Sequence, residues 1–538
     1  MEPKQPLNGS PSKSWLDAAL FVAVVLLALY GAASALGEQG AFRDLQAPSS
    51  FLAWASALLQ GDWGQSFRNG APVFSSVVSR MPLSIGWTAI AVGIALFLAA
   101  LVGRCSASVS GSPFDRFVVT GCYLGRSIAP FLVAFLASGV FAIGLGWAPA
   151  MVLSWQTETL ATFVRSLVLP VLVLAAVLVV QWTPQARNLC IHRGQVSFRY
   201  VFAHVLCAAL TGVASIAGAA LIIEAIFAIP GLGRLFWFSV RFSDPYLLQG
   251  SLLGVLVITG VTFALGRILE RKLCLPGGGL TVFEGDEQRV AAVPSNGPIW
   301  QVIWMPVLWL TGVVLCAFAA PYLGLTDPDD VALERSLAEP SLSFWFGADA
   351  AGRDVFSRAL HGSSSLVTCL GAGLLLGFGL CAAIRTVQRL YPRSGDSLVR
   401  LCHRIAQVCP PLLLITAAIV VWDSSYFTIA LSLALFFPSF VLTVIQQDGS
   451  FRDLRRPGVF AFLAMAITTV ASVSYMRLGP PSDVAGWGAA VSYGQEHFQY
   501  APHISLGPGA ILVMTTLAII IIADRLDAMS PARKPTDR

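Results

Sequence analysis

The chain has 538 residues, of which 56% are hydrophobic and only 12% charged, with mean hydropathy +0.73 and net charge +5. A soluble domain carries about 25% charge, so lipid is the main solvent of this chain. The small positive balance is what membrane topology asks of inner loops; nothing in it supports a nucleic-acid partner.

Crossing a hydrocarbon core of ~30 Å takes about 20 apolar residues. Twelve such runs are read, near 15–37, 86–103, 117–146, 164–182, 201–228, 246–266, 300–323, 364–384, 401–422, 425–446, 458–478 and 507–524. The first is too long for the core of a secretory signal and lacks a small-residue cleavage site. The loop 38–85 follows, and its aromatic and periodic apolar residues over 51–66 predict a helix lying at the membrane interface. Around 270–299 the composition turns polar and rich in turn residues (Leu275-Pro276-Gly277-Gly278-Gly279, then Glu284, Asp286, Glu287, Pro294, Gly297), as in a linker. Six runs lie on either side. An even number per half gives both halves the same orientation, so they can pack about an axis along the membrane normal.

Basic residues set the orientation. With the N-terminus inside, the inner segments hold 23 of the 34 Lys and Arg residues, among them Lys4, Lys13, Arg104, Arg116, Arg187, Arg193, Arg199, Arg267, Arg385, Arg400, Arg452, Arg525 and Lys534. The inverted arrangement holds 11 at most and is rejected. Both termini are therefore expected in the cytoplasm.

Several chemistries are missing. No lysine follows a glycine, so a phosphate-cradling G-x-x-x-x-G-K-[ST] loop is excluded, and any ATPase must be another chain. The six histidines show no metal-binding spacing, and no G-x-S-x-G elbow occurs. The ten cysteines fall in spans or inner segments without a Cys-x-x-Cys, which makes them small apolar packing residues. No enzyme active site is visible, and no cofactor is expected on this chain.

Two stretches carry the strongest signal. One is Ile223-Glu224-Ala225-Ile226-Phe227-Ala228-Ile229-Pro230-Gly231-Leu232-Gly233-Arg234. The other is Phe346-Gly347-Ala348-Asp349-Ala350-Ala351-Gly352-Arg353-Asp354-Val355-Phe356-Ser357-Arg358-Ala359-Leu360-His361-Gly362. Each resembles the signature of a different inner-membrane permease of the dipeptide/oligopeptide/nickel ABC importers, the first and the second permease, here in one polypeptide. Further matches are Leu58-Leu59-Gln60-Gly61-Asp62-Trp63-Gly64-Gln65-Ser66, Pro72-Val73 and Arg80-Met81-Pro82 in the first half, and Trp487-Gly488 with Tyr493 in the second. The resemblance implies an all-α polytopic fold of the type I importer permease kind, about twelve transmembrane helices in two parallel six-helix halves. The expected division is 1–270 for the first permease half, 271–299 for a cytoplasmic linker and 300–538 for the second. It implies uptake of peptides or a related small solute through a bacterial inner membrane. The partners are one or two kinds of ABC ATPase subunit, a periplasmic substrate-binding protein and the lipid bilayer. A twelve-span secondary transporter and a degenerate, non-transporting component are the rival readings.

The resemblance also points to residues. In the family a short inner helix between the fourth and fifth spans docks the ATPase; here that segment is 185–200, with Gly194 at the family's glycine and Arg187, Arg193 and Arg199 as its basic residues. An ordinary basic inner loop is the competing reading. The second half offers only 447–457, which is too short for an equivalent helix, so one strong and one weak ATPase contact are expected. Glu224, with Pro230 and Gly231, reads either as part of a gate or as a helix-end carboxylate bonded to the following turn; its counterpart is placed at Val470. Arg126, where the family has an apolar residue, either snorkels to the interface or lines the pathway. Arg477 replaces a family glycine. On the outer side Asp349, Gly352, Arg353, Asp354 and Arg358 are expected to form an internal salt-bridge network holding a scoop-like loop, with contact to a binding protein as the alternative.

Overall fold

A computed structural model describes residues 51–149, 151–152, 159–194, 196–242, 244–273, 300–422, 424–448, 458–479, 486–495 and 497–528. The expected span 15–37, the linker over 274–299, residues 449–457 of the short loop and both termini lie outside the described residues. Among the described residues the fold is all-α, with no strand longer than an isolated bridge. Six helices are long and apolar enough to cross a membrane, nine if each of three bent pairs counts as one, and two shorter apolar helices run over Tyr426–Val441 and Val459–Tyr475. Each of the eleven expected spans from 86 onward falls on these elements.

The N-terminal set begins with α1 (Phe51–Leu59), α2 (Val73–Val78) and α3 (Met81–Ser108), followed by α4 (Pro113–Ser127) and α5 (Pro130–Ala137), which runs on as a π-helix over Ser138–Gly144. Then come α6 (Leu160–Arg193), α7 (Phe198–Thr211), α8 (Val213–Ile226), α9 (Leu232–Arg241) and α10 (Pro245–Leu273). The C-terminal set is α11 (Trp300–Ala319), α12 (Val355–Leu390), α13 (Pro392–Val408), α14 (Pro411–Trp422), α15 (Tyr426–Asp448), α16 (Gly458–Tyr475), α17 (Trp487–Tyr493) and α18 (His503–Ala528). Leu52 and Leu59 of α1 are exposed apolar side chains, as an interfacial helix requires.

Packing repeats between the sets. Helix α3 lies along α6 as α12 lies along α15; α4 packs on α6 as α13 does on α15; α5 packs on α8 as α14 does on α16. Short helices α9 and α17 wedge against α10 and α18 in the same way, and the sets meet at two equivalent seams, α4 on α18 and α13 on α10. This is the arrangement expected of parallel repeats.

Three spans expected to be continuous are broken. The pair α4/α5 bends by 98° and α13/α14 by 91°. Proline explains both: Ala129 before Pro130 is extended (ψ 142°), and Cys409 before Pro410-Pro411 likewise (ψ 115°), because the ring excludes the preceding residue from the helical region. The third, α7/α8, bends by 70° at Gly212, where Thr211 turns its hydroxyl onto the carbonyls of Cys207 and Ala208.

The ends of the bundle differ. One, the basic end, carries the ends of α6, α10 and α12 with Arg193, Arg267 and Arg389; the other, the signature end, carries both permease signatures. Helix α6 has 34 residues and α15 has 23, about 50 and 35 Å at 1.5 Å per residue. The longer helix therefore overshoots a ~30 Å core by several turns.

Candidate functional site

Between the two sets lies a cavity of about 370 Å³, within the ~300–1,000 Å³ typical of ligand pockets. Both proline breaks line it through Ile128, Pro130, Pro411 and Leu412, together with Gly218 and Ile222 of α8 and Ala464, Thr468 and Ser472 of α16. The breaks make the space: a helix that turns by about 90° cannot fill the volume ahead of it.

Toward the signature end aromatic pairs join the two sets. Phe131 packs on Tyr475 with ring centroids 4.9 Å apart and planes tilted by 35°, and Phe135 meets Phe498 edge-on at 4.9 Å. Phe131, Phe135 and Tyr475 are buried, and the Tyr475 hydroxyl donates to Gln495 Oε1 at 2.6 Å. Toward the basic end the lining turns polar, with Tyr123, Arg126, Gln181, Gln185 and Asp524. Arg126 is one of the residues that line this cavity.

Glu224 does not line the cavity. Its side chain is 2% exposed; Oε1 accepts from Trp87 Nε1 at 2.9 Å and Oε2 from the Gly233 amide at 2.6 Å. The carboxylate caps the start of α9, where free amides and the helix dipole favour negative charge. Gly231 is forced by this contact, since a Cβ there would meet Glu224 Oε2 at 2.4 Å. Pro230 and Gly231 form the turn between α8 and α9 and are buried or nearly so. Of the two sequence readings of Glu224, this geometry is that of a helix-end carboxylate bonded to the following turn: with Pro230 and Gly231 it makes a staple between α8 and α9. The counterpart of Glu224 is corrected. In the C-terminal set it is Ser474, not Val470, that accepts from the turn, at the Ala489 amide, 3.2 Å away. Both turns leave their helix through a non-glycine residue in the left-handed region, Ala228 (φ 54°) and Arg477 (φ 61°). The family glycine that Arg477 replaces has its physical reason in that φ; here the arginine stacks 4.5 Å over Tyr493.

At the basic end α6 stops at Gly194 (φ 73°, ψ −149°), a conformation open essentially to glycine. Arg193, Gly194 and Arg199 are exposed at this tip, and Arg193 bonds the Tyr200 hydroxyl at 2.5 Å. Arg187 is different. It is 4% exposed and forms a two-pronged ion pair with Asp115, Nε to Oδ1 at 2.7 Å and Nη2 to Oδ2 at 2.8 Å. Ser106 Oγ (2.5 Å) and the Gly111 amide (2.7 Å) complete the carboxylate's shell. Arg187 faces inward and is not available to a docking subunit; with Asp115 it ties the α3–α4 turn to the projecting end of α6. Sequence reading missed Asp115, whose only local signal is its place in the first turn of α4 behind the Ser112 cap.

The second signature is an internal network. Asp349 accepts from the amides of Ala351 (2.9 Å) and Arg353 (3.0 Å) and from Arg353 Nε (2.8 Å). Asp354 caps α12 at the Phe356 amide and accepts from Thr326 Oγ1; Arg358 reaches Pro328 O at 2.8 Å and Asp329 at 3.1 Å. Gly352 (φ 76°) has no room for a side chain, because a Cβ would lie 1.8 Å from Ala332 O. Arg353 and Arg358 also flank the Tyr493 ring. Among the described residues no group of His, Cys, Asp or Glu has a metal-holding arrangement.

Known proteins share these features. The glutathione transport system permease GsiD of Escherichia coli is 30% identical over 226 residues, covering 74% of that protein and 36% of this chain. GsiD of Pectobacterium atrosepticum is 26% identical over 259 residues, 86% of its length and 42% of this chain. A putative peptide transport system permease of Brucella abortus is 27% identical over 220 residues, 70% of its length and 37% of this chain. No family model matches. Each relative accounts for about two fifths of the chain, while the helical packing occurs twice. The chain belongs to the peptide and glutathione permeases of the ABC transport systems, a multi-pass membrane protein with two permeases of that family fused in one polypeptide.

Proposed function

We propose that this chain is the whole translocation path of an ABC importer for peptides or a related small solute, with 1–270 and 300–538 acting as its two permease halves and 271–299 as the connecting linker. The observation that carries this reading is the cavity between the sets, which are joined by the Phe131–Tyr475 and Phe135–Phe498 contacts toward the signature end. The basic end lies in the cytoplasm, because basic loops are retained there. The protein then sits in a bacterial inner membrane with both termini inside and its cavity on the cytoplasmic half of the path. Solute arrives at the signature end from a periplasmic binding protein. Energy comes from one or two kinds of separate ATPase subunit, and this chain needs no cofactor of its own.

Docking falls to the tip formed by Arg193, Gly194 and Arg199, carried beyond the membrane by the overshoot of α6. Among the described residues helix α15 runs only to Asp448, 23 residues against the 34 of α6, so the second contact is the weaker one.

The test is accessibility. In a chain lacking native cysteines, Thr468→Cys should react with an impermeant maleimide in inside-out vesicles and resist it in right-side-out cells. ATPase and binding protein working with ATP should reverse this preference. Equal labelling from both sides under all conditions would refute an alternating path through the cavity.

A further inference from the structure

The polar end of the cavity is assembled from both sets. Tyr123 and Arg126 stand one turn apart on α4, Gln185 projects from α6, and Asp524 comes from α18 across the seam. Arg126, Tyr123 and Asp524 line the same cavity. Gln185 Oε1 is buried without a hydrogen-bond partner. A buried amide oxygen left unsatisfied costs about 1–3 kcal/mol, so something that visits the cavity is expected to donate to it. The remaining wall is apolar or hydroxyl-bearing, from Ile222, Met465, Thr468 and Ser472. A cation and an anion presented from opposite sets to one cavity are a matched receptor for a solute carrying both charges. At the equivalent seam Arg267 is bonded to its own helix neighbour Glu270.

We propose that Arg126, Gln185 and Asp524 form a holding site in the cavity for zwitterionic solutes, Arg126 taking a free carboxylate and Asp524 with Gln185 Oε1 taking a free ammonium group. The site rests on the pathway reading above and adds its selectivity. Because its two charges belong to different permease halves, it exists only while the seam between α4 and α18 is closed. Parting that seam divides the charges and releases the solute.

The full chain in lipid nanodiscs is titrated calorimetrically with trialanine, N-acetyl-trialanine and trialanine amide. A charge-assisted hydrogen bond is worth about tenfold or more in affinity. Arg126→Gln should therefore weaken trialanine at least that much and leave the amide unchanged. Asp524→Asn should weaken trialanine and leave the N-acetyl peptide unchanged. The insensitive probe in each pair reports that the variant is folded. No binding of trialanine to the native chain, or equal losses on all three probes, overturns the site. Gly218→Trp fills the cavity and should abolish binding of every probe. If it does not, the pathway reading itself falls; if it does while the charge variants are silent, only the charge-reading site falls.

Discussion

Replacing Asp115 with alanine strands the Arg187 guanidinium, 4% exposed, at the foot of the helix that carries the docking tip. Four hydrogen bonds end on that carboxylate, two from Arg187, one from Ser106 and one from the Gly111 amide. Breaking one member of a buried ion pair costs about 3–5 kcal/mol, because the surviving charge stays desolvated. The loss is local, since the pair ties only the α3–α4 turn to the end of α6. Cys190, buried one turn beyond Arg187, reports it. With Cys190 as the sole cysteine, thiol modification under rapid opening and closing follows the population of the open form. An added 3–5 kcal/mol then speeds labelling by roughly two to three and a half orders of magnitude. Asp115→Leu with Arg187→Met removes both charges and should return the rate most of the way to native, since apolar replacement of a whole buried pair is often neutral. Acceleration of Asp115→Ala below about tenfold, or a double variant as labile as the single, would refute the assignment of this pair as the clamp on the docking tip.

Glu224→Ala leaves the Trp87 and Gly233 donors without an acceptor, at about 1–3 kcal/mol each, and should lower the unfolding midpoint markedly; native-like stability would remove the staple. Ala228→Val puts a β-branched residue at φ 54° and should cost about 1–3 kcal/mol, whereas Ala228→Gly should stay close to native by the same thermal assay. Gly194→Trp should insert normally yet fail to stimulate ATP hydrolysis, and normal uptake by that variant would dismiss the docking tip. Cysteine crosslinks to the ATPase should form well from position 194 and poorly from position 451; equal yields would show that the short loop docks as firmly as the long one.

The membrane class, the eleven expected spans that fall among the described residues and the two fused permeases were legible in the residues, because each depends on local quantities. An apolar run of about 20 residues inserts whatever its neighbours are, and a signature with Pro-Gly-x-Gly or Asp-x-x-Gly-Arg-Asp imposes its own turn. The left-handed Arg477 and the glycine-only turn at Gly194 belong to the same local class. What the folded molecule alone decided is which charges meet. Asp115 finds Arg187 at a separation of 72 residues, Glu224 finds Trp87 at 137, and Asp524 reaches the cavity of Arg126 from the other end of the chain. Hydrophobic periodicity carries no record of such partners. Burial in lipid makes a lone charge so costly that each must have one, but its identity emerges only when the proline breaks bend the spans and bring the two permease halves together.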